Sequence, residues 1–180
     1  MARSSHALAD DGRVWIVDPV DWAPALDRVA ALGEPAAVIQ LLDRHKRDSA
    51  LIAARLGVPH LTVPEAITDS PFELVRLTHR RWWDEVALWW PARRTLVVPE
   101  AVGTVEAFTL GAEQAGVHAG LRLTPPRQLS DFSPEHLLVG HGPALHDDAA
   151  PALAAAVDRS RRDIPLLLRR LPGLIRGARG

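Results

Sequence analysis

The segment from Leu41 to Ser49 carries the residues whose types and spacing most suggest chemistry. It reads Leu-Leu-Asp-Arg-His-Lys-Arg-Asp-Ser and lies between an apolar run, Ala36–Leu42, and a short helical pattern that ends at Gly57. Such a run predicts a buried strand, and a glycine after a helical pattern marks the end of the helix. Imidazole and carboxylate groups bind metal ions, whereas arginine and lysine do not. The loop therefore combines candidate metal ligands with cations that oppose a metal ion.

Several other segments support a resemblance that covers most of the chain. Arg13–Pro19 is an apolar strand ending in Asp-Pro, Asp84–Val98 is a hairpin pattern with a turn at Ala-Arg-Arg, and Leu137–Pro143 is a strand followed by Gly-His-Gly. Together with the 41–49 loop, this order resembles the metallo-β-lactamase fold family. The resemblance implies a four-layer αββα sandwich with mixed sheets, in a version that is short for the family.

The family's ligand loop reads H-x-H-x-D-H between a strand and a helix, and this chain departs from that pattern. In this alignment Arg44 and Lys46 occupy the places of the two spaced histidines, Asp48 keeps the aspartate, and Ser49 occupies the place of the last histidine. Because a cation cannot bind a cation, the resemblance implies that a tight dinuclear zinc site is lost. We therefore predict that the protein carries no cofactor, and we expect well under one equivalent of zinc.

The residual ligand candidates are Asp48, Glu100 and His141. The resemblance places Glu100 where the family has a metal-bridging aspartate and His141 where it has its last metal histidine. One histidine with two carboxylates is an acceptable set for one weakly bound zinc or other divalent ion. His79 is a weaker candidate, since its spacing to the hairpin departs from the family pattern. As alternatives, Asp48 is a helix N-cap and His141 a hydrogen-bonded turn residue.

Arg44 and Lys46 have two interpretations. They are either solvated loop residues, or at least one of them lies in the former metal cleft and pairs with Asp48 or Glu100.

The other histidines show no ligand spacing, and His45 is interpreted as an exposed loop residue. The remaining histidines are His6, His60, His118, His136 and His146. A serine triad of Ser49, Asp48 and His141 is a further alternative, which the resemblance makes unnecessary. The chain has no G-x-S-x-G, P-loop or G-x-G-x-x-G motif.

Four of the six tryptophans lie within nine residues of the hairpin: Trp82, Trp83, Trp89 and Trp90. Adjacent residues of a strand face opposite sides, so one ring of each pair is expected in the core. The outward rings either pack under a helix or form an apolar patch. Such a patch predicts a homodimer or a partner contact, through this hairpin or through the segment that begins at Pro165.

Composition sets the outer limits. The chain has 180 residues, 47% hydrophobic and 24% charged, with a net charge of −1, which is typical of one globular domain. Neither nucleic acid nor a membrane is a predicted partner, since there is no basic excess and no long apolar run. The chain contains no cysteine, which excludes disulfides and thiolate sites and agrees with a cytoplasmic location. Residues 1–11 lack a signal-peptide core.

Apolar periodicity predicts alternating strands and helices in the first half, with a hairpin, a strand and a helix in the second. The predicted strands are Ser5–Ala9, Val14–Val17, Ala36–Leu42, Val58–Val63, Phe72–Leu77 and Leu137–Val139, and the helices are Pro24–Leu32, Ser49–Leu56 and Asp147–Arg162. Residues 103–130 are interpreted as loop with one short element, residues 1–11 as a strand or a flexible start, and residues 163–180 as a helix or tail.

These observations predict an α/β sandwich of mixed sheets in a single domain, residues 1–180. The favoured function is that of a catalytically impaired or non-enzymatic protein, which binds a small molecule or a protein partner. The alternative is a hydrolase with one metal ion, bound by Asp48, Glu100 and His141, that acts on an ester, thioester or lactam. Fold alone does not decide between the two.

Overall fold

The computed structural model of the chain describes residues 2–111 and 113–177. Two four-stranded sheets lie face to face. The first sheet has the order β1 (His6–Asp10), β2 (Arg13–Val17), β3 (Glu34–Gln40), β4 (His60–Thr62), and the second has the order β10 (His136–Val139), β7 (Thr95–Val98), β6 (Trp83–Trp90), β5 (Glu73–Arg80). Both sheets are mixed, because β2, β3 and β4 run parallel, as do β7 and β10, while the other pairs are antiparallel.

Helices cover the outer face of each sheet. On the first sheet lie α1 (Ala23–Ala30) and α2 (Ser49–Leu56), and on the second lies α4 (Ala149–Arg159), followed by α5 (Ile164–Gly177). Short elements occupy the segment before β10: α3 (Glu106–Thr109), a ribbon of β8 (Val102–Gly103) with β9 (Gly116–Val117), and the 3-10 turns Ala119–Leu121 and Arg127–Asp131. A third 3-10 turn, Pro91–Arg93, connects β6 to β7.

Strand alternation divides the core into three layers of apolar side chains. Between the sheets, Trp15 and Ile39 of the first sheet meet Leu88 and Trp90 of the second. Outside the second sheet, Trp83 belongs to the cluster that packs under α4, and a smaller cluster lies between the first sheet and α2. The expected αββα sandwich is confirmed. No helix within residues 2–111 and 113–177 is long and apolar enough to cross a membrane.

The parallel pairs bring the carboxyl ends of several strands to one edge of the sandwich. The loops that follow β2, β3, β7 and β10 begin at this edge. The loop after β3 crosses to the second sheet, where Val86 N donates to Leu41 O and Asp43 N donates to Asp84 O. This crossing joins the two sheets where the 41–49 loop begins.

Candidate metal centre

Two histidines and one glutamate converge at the shared sheet edge. The Oε2 atom of Glu100 lies 2.6 Å from His45 Nε2 and 2.9 Å from His141 Nε2. The ligand atoms of these three residues lie within 4.8 Å of one another. Two ligand atoms of a tetrahedral zinc ion are about 3.4 Å apart, since each bond is about 2.0–2.2 Å long. The three donors are therefore close enough to share one ion.

Each member of the cluster comes from a loop after a strand. His45 lies in the loop between β3 and α2, Glu100 lies two residues after β7, and His141 lies two residues after β10. Because β7 and β10 are parallel neighbours, Glu100 and His141 leave the second sheet side by side. Gly140 makes this approach possible: a Cβ atom at this position would lie 2.0 Å from the Pro99 carbonyl oxygen.

The opposite nitrogen of each histidine already has a partner that can only accept. His45 Nδ1 lies 3.1 Å from Asp18 Oδ2, and His141 Nδ1 lies 3.0 Å from the Ala2 carbonyl oxygen. Each Nδ1 therefore carries a proton, and in a neutral ring each Nε2 presents a lone pair. A carboxylate or carbonyl behind the other ring nitrogen is the usual support of a metal-binding histidine. In this respect the donor set fits one transition-metal ion.

The cluster is electrostatically coupled. Burial alone would lower the pKa of His45, but hydrogen bonds to the Asp18 and Glu100 carboxylates outweigh it and raise this pKa to about 9. Burial alone would raise the pKa of Glu100, but hydrogen bonds from His141 and His45 hold this pKa well below its usual range. In the absence of a metal ion, a proton on His45 therefore supplies the positive charge that Glu100 faces.

A second glutamate positions the first through the backbone. Glu85 on β6 is fully buried, and its Oε1 accepts from the backbone N–H groups of Glu100, at 3.0 Å, and Ala101, at 2.7 Å. Its Oε2 accepts from Trp83 Nε1 at 2.5 Å. Burial raises the pKa of Glu85 to about 7, against these donors, which lower it. Glu85 thus fixes the turn that carries Glu100.

Arg47 holds the segment before β1 against the site. Its guanidinium donates to the carbonyl oxygens of Ser4, at 2.5 Å, Asp18, at 2.8 Å, and Gly140, at 3.2 Å. Ser4 also bonds to the loop of His141, through its N–H to Gly140 O and its hydroxyl to Gly142 O. The side chains of His45, Glu100 and His141 are consequently only 10–15% exposed.

Of the residual ligand candidates, the structure brings together Glu100 and His141. Asp48 is not in the cluster: its Oδ2 accepts from Asp21 N at 2.8 Å, and although Asp48 is the N-cap residue of α2, its side chain makes no capping hydrogen bond. Ser49 is fully buried, and its hydroxyl has no hydrogen-bond partner among the described residues. His79 is a largely exposed residue of β5 beside Asp84, away from the cluster.

The two loop cations do not pair with the carboxylates as one interpretation required. The Arg44 guanidinium lies over the Trp83 ring, 4.3 Å from its centroid, and its nearest carboxylate is that of Asp43, at 3.9 Å. Lys46 lines a separate cavity of about 440 Å³ beside Asp48 and His60. Within the described parts of the chain, no ion pair joins Arg44 or Lys46 to Asp48 or Glu100. The cationic partner of Glu100 is His45, so that interpretation is wrong.

His45 is the residue that sequence reasoning missed. The interpretation of His45 as an exposed loop residue is wrong, because the side chain is only 11% exposed and bonds to two carboxylates. The family pattern, applied without a register shift, put Arg44 and Lys46 at the ligand places and left His45 between them. Two signals were available: His45 is the one histidine of this loop, and the Asp-Pro turn after β2 supplies its partner, Asp18.

Comparisons with known proteins agree on the fold. No protein-family model matches the sequence, and no curated protein matches it. Among solved structures, a metallo-β-lactamase from Pontibacter korlensis is similar with a TM-score of 0.59 and 13% identity, over 90% of this chain and 85% of that one. The DIM-1 metallo-β-lactamase is similar with a TM-score of 0.57 and 15% identity, over 88% and 85%.

A chemotaxis sensor solved as a peroxy di-iron species is also similar, with a TM-score of 0.58 and 10% identity over 87% of this chain and 85% of that one. The chain has the metallo-β-lactamase fold. At these identities the likeness concerns the fold alone. The His45–Glu100–His141 cluster of this metallo-β-lactamase-fold protein must therefore be interpreted from its own geometry.

Proposed function

We propose that this metallo-β-lactamase-fold protein binds one divalent transition-metal ion through His45, Glu100 and His141, and that it is a mononuclear hydrolase of an ester, thioester or lactam. One observation carries the proposal. Both histidine Nδ1 atoms donate to acceptors, while both Nε2 atoms face the same oxygen of Glu100. In neutral rings the two Nε2 lone pairs and the carboxylate oxygen would repel one another, so either a metal ion or protons must lie among them.

The geometry supports one ion. Within residues 2–111 and 113–177, His45, Glu100 and His141 are the one group of three or more histidine or acidic residues close enough to hold a metal ion. Asp48 bonds elsewhere, and Arg44 and Lys46 bring positive charge to the same loop. Two histidines and one carboxylate form a known ligand set for catalytic zinc and for non-haem iron, in which other coordination positions stay open.

The residues around the cluster have separable tasks. A bound divalent ion supplies Lewis-acid activation of a substrate carbonyl. Asp18 orients the His45 ring, the Ala2 carbonyl orients the His141 ring, and Glu85 fixes the backbone that presents Glu100. Arg47 ties the segment of Ser4 to the loop of His141. Loss of such supporting contacts typically weakens metal binding about 10–100-fold.

A non-enzymatic role is the second candidate, and a specific observation favours it. The pKa of His45 is raised to about 9 by its two carboxylate partners, so a proton on this ring already satisfies Asp18 and Glu100. In this case the cluster is a structural link between the two sheets, and the protein binds a small molecule or partner elsewhere. The two candidates differ in one measurable quantity, which is the affinity for a metal ion.

Metal analysis and thermal unfolding distinguish them. In place of the well under one equivalent that the sequence alone predicted, the His45–Glu100–His141 cluster leads us to expect one equivalent of zinc or iron in protein purified without chelator. We also expect a rise of the melting temperature when zinc is added to the chelated protein. Ligand at about 100 times its dissociation constant adds about 2.7 kcal/mol, or roughly 5–10 °C for a domain of this size. His141→Ala should lose this rise, and the exposed His79→Ala should keep it.

Activity tests the second half of the proposal. A chromogenic lactam, a p-nitrophenyl ester and a thioester are assayed with the zinc-loaded, chelated and His141→Ala proteins. Turnover that needs both zinc and His141 supports the hydrolase. No zinc binding supports the structural link, two equivalents of zinc contradict the single-ion site, and zinc binding without turnover of any of these substrates contradicts the hydrolase.

A further inference from the structure

A third histidine lies beside the cluster with the opposite arrangement of its ring nitrogens. His118 follows β9, and its Nδ1 accepts a hydrogen bond of 3.1 Å from the backbone N–H of Gly120. A nitrogen that accepts this bond carries no proton, so in the neutral ring the proton lies on Nε2. In the neutral rings of His45 and His141, the form that would bind a metal ion, the proton lies on Nδ1 and the lone pair on Nε2. The hydrogen bonds thus make His118 the donor among three histidines.

The Nε2–H group of His118 faces the site and makes no short hydrogen bond there. It lies 3.5 Å from Glu100 Oε1, the oxygen that neither His45 nor His141 contacts. This distance is longer than an ordinary hydrogen bond, so Nε2–H remains available to another acceptor. The side chain is 30% exposed, so a small molecule that reaches Glu100 also reaches this N–H.

Aromatic contacts hold the His118 ring in this orientation. The ring meets Trp83 edge-on at 4.8 Å between centroids and Phe108 at 5.4 Å. Because Nδ1 accepts from Gly120, it carries no proton, so this hydrogen bond requires a neutral ring. Trp83 is in turn bonded to Glu85, so the same buried carboxylate supports both Glu100 and the wall behind His118.

We propose that His118 is a neutral hydrogen-bond donor to an oxygen atom of the bound substrate, and that it is not a fourth metal ligand. The substrate contact rests on the proposed function, whereas the tautomer of His118 does not. A carbonyl or carboxylate oxygen placed near Glu100 accepts a hydrogen bond from His118 Nε2–H. His45 and His141 instead bind the metal ion through their Nε2 lone pairs. Bringing Nε2 of His118 to a metal ion as a ligand would require the loss of the Gly120 bond and a change of tautomer.

The tautomer is measured first, in metal-free protein labelled with ¹⁵N at histidine. Long-range ¹H–¹⁵N correlations of the ring protons should show the Nε2–H form for His118 at pH 8. The assignment is made with His118→Gln, in which the signal disappears. An Nδ1–H form overturns the proposal, and this measurement stands even if the protein binds no metal.

Zinc and acetate binding then test the role. Zinc affinity of His118→Gln and His118→Leu should stay within about threefold of the wild type, whereas His141→Ala should lose about 100-fold. Acetate, as the oxygen probe of the zinc form, should bind about fivefold more weakly to His118→Leu, the effect of one neutral hydrogen bond. His118→Gln keeps an N–H near the Nε2 position and should bind acetate as the wild type does.

Three results of these binding measurements would also overturn the proposal. A 100-fold loss of zinc affinity in both His118 variants would make His118 a ligand. Unchanged acetate affinity in His118→Leu, or equal losses in the Leu and Gln variants, would remove the donor role. Failure of the wild type to bind zinc would instead refute the proposed function, and the tautomer would still decide whether His118 is a donor. Thermal melts establish that each variant is folded.

Discussion

Glu85 shows how much of the site depends on one residue outside the His45–Glu100–His141 cluster. Its carboxylate accepts from Trp83 Nε1 and from the backbone N–H groups of Glu100 and Ala101. Glu85→Gln keeps the shape but puts an NH₂ group against one of these donors. We expect a loss of about 1–3 kcal/mol at pH 8, above the Glu85 pKa of about 7, because a buried donor is left unsatisfied.

Urea unfolding checks this expectation, with Asp84→Asn as the matched control. Asp84 is the preceding residue of the same strand, half-buried and paired with Arg76. Loss of a partly exposed ion pair costs about 0–1 kcal/mol. Equal, small effects of the two variants would contradict the role given to Glu85.

His6, which lies beside the cluster but is not one of its members, provides a test of pH dependence. Its Nε2 bonds to the Val139 carbonyl oxygen, and burial lowers its pKa below 6.5. The unfolded chain therefore takes up the proton first as the pH falls, and stability decreases below about pH 6.5. One proton gives a slope of up to about 1.4 kcal/mol per pH unit.

His6→Gln keeps an N–H donor for Val139 and removes the titration. Its unfolding free energy should fall less than that of the wild type between pH 7.5 and 5.5. His79→Gln is the control, because His79 is largely exposed, and its pH dependence should parallel the wild type. Parallel curves for His6→Gln and the wild type would show that His6 does not titrate on unfolding.

At the level of elements, the turn after β10 decides whether His141 reaches Glu100. A Cβ atom at Gly140 would lie 2.0 Å from Pro99 O, a backbone atom that cannot move without shifting the end of β7. Gly140→Ala should therefore separate β7 from β10 and cost more than about 1 kcal/mol, with loss of zinc binding.

Gly173→Ala is the control for Gly140→Ala. Gly173 is an exposed position within α5, and its added Cβ meets no atom within 4 Å. Here the substitution should raise stability by about 0.4–1 kcal/mol, because it restricts the unfolded chain. Thermal unfolding and zinc titration of both variants check the pair, and normal zinc binding by Gly140→Ala would refute the close-approach argument.

Elements with strong periodicity were predictable from sequence, and short ones were not. The helix Ser49–Leu56 has the predicted bounds, and the two-strand pattern around the Pro91–Arg93 turn is confirmed. The segment before β10 was interpreted as loop with one short element, but it contains α3, β8, β9 and two 3-10 turns. Elements of two to five residues carry too few positions to show a period, and tertiary contacts define them. His118 lies in this segment, so its position could not be inferred.

At the level of the whole molecule, the order of strands and the Asp-Pro and Gly-His-Gly turns were enough to suggest the family resemblance, and the resemblance implied the four-layer sandwich. The site was predicted only in part, since Glu100 and His141 meet but His45 joins them in place of Asp48. A motif fixes which loop holds a ligand, but the register within the loop depends on backbone conformation. Arg47, with φ of 41°, lies in the left-handed region directly before Asp48, a local feature that residue types do not reveal.

Assembly depends on which tryptophans the fold leaves open. Trp83 and Trp90 are buried, and Trp89 packs against Phe132. Three of the four tryptophan rings of the hairpin are therefore covered by the chain itself. Trp82 is 53% exposed and carries the prediction of a homodimer, because a two-fold axis would bring this ring against its copy. Trp82→Glu should then give a folded monomer.

Light scattering at several protein concentrations measures this, and Trp22→Glu is the matched control. Trp22 is 56% exposed but precedes α1 on the other sheet, so its replacement should leave the dimer intact. Burying one aromatic ring per subunit at a two-fold contact is a typical hot spot, worth about 2 kcal/mol or more on truncation. A wild-type monomer at high concentration, or a dimer that survives Trp82→Glu, would show that the hairpin serves only the core of its own chain.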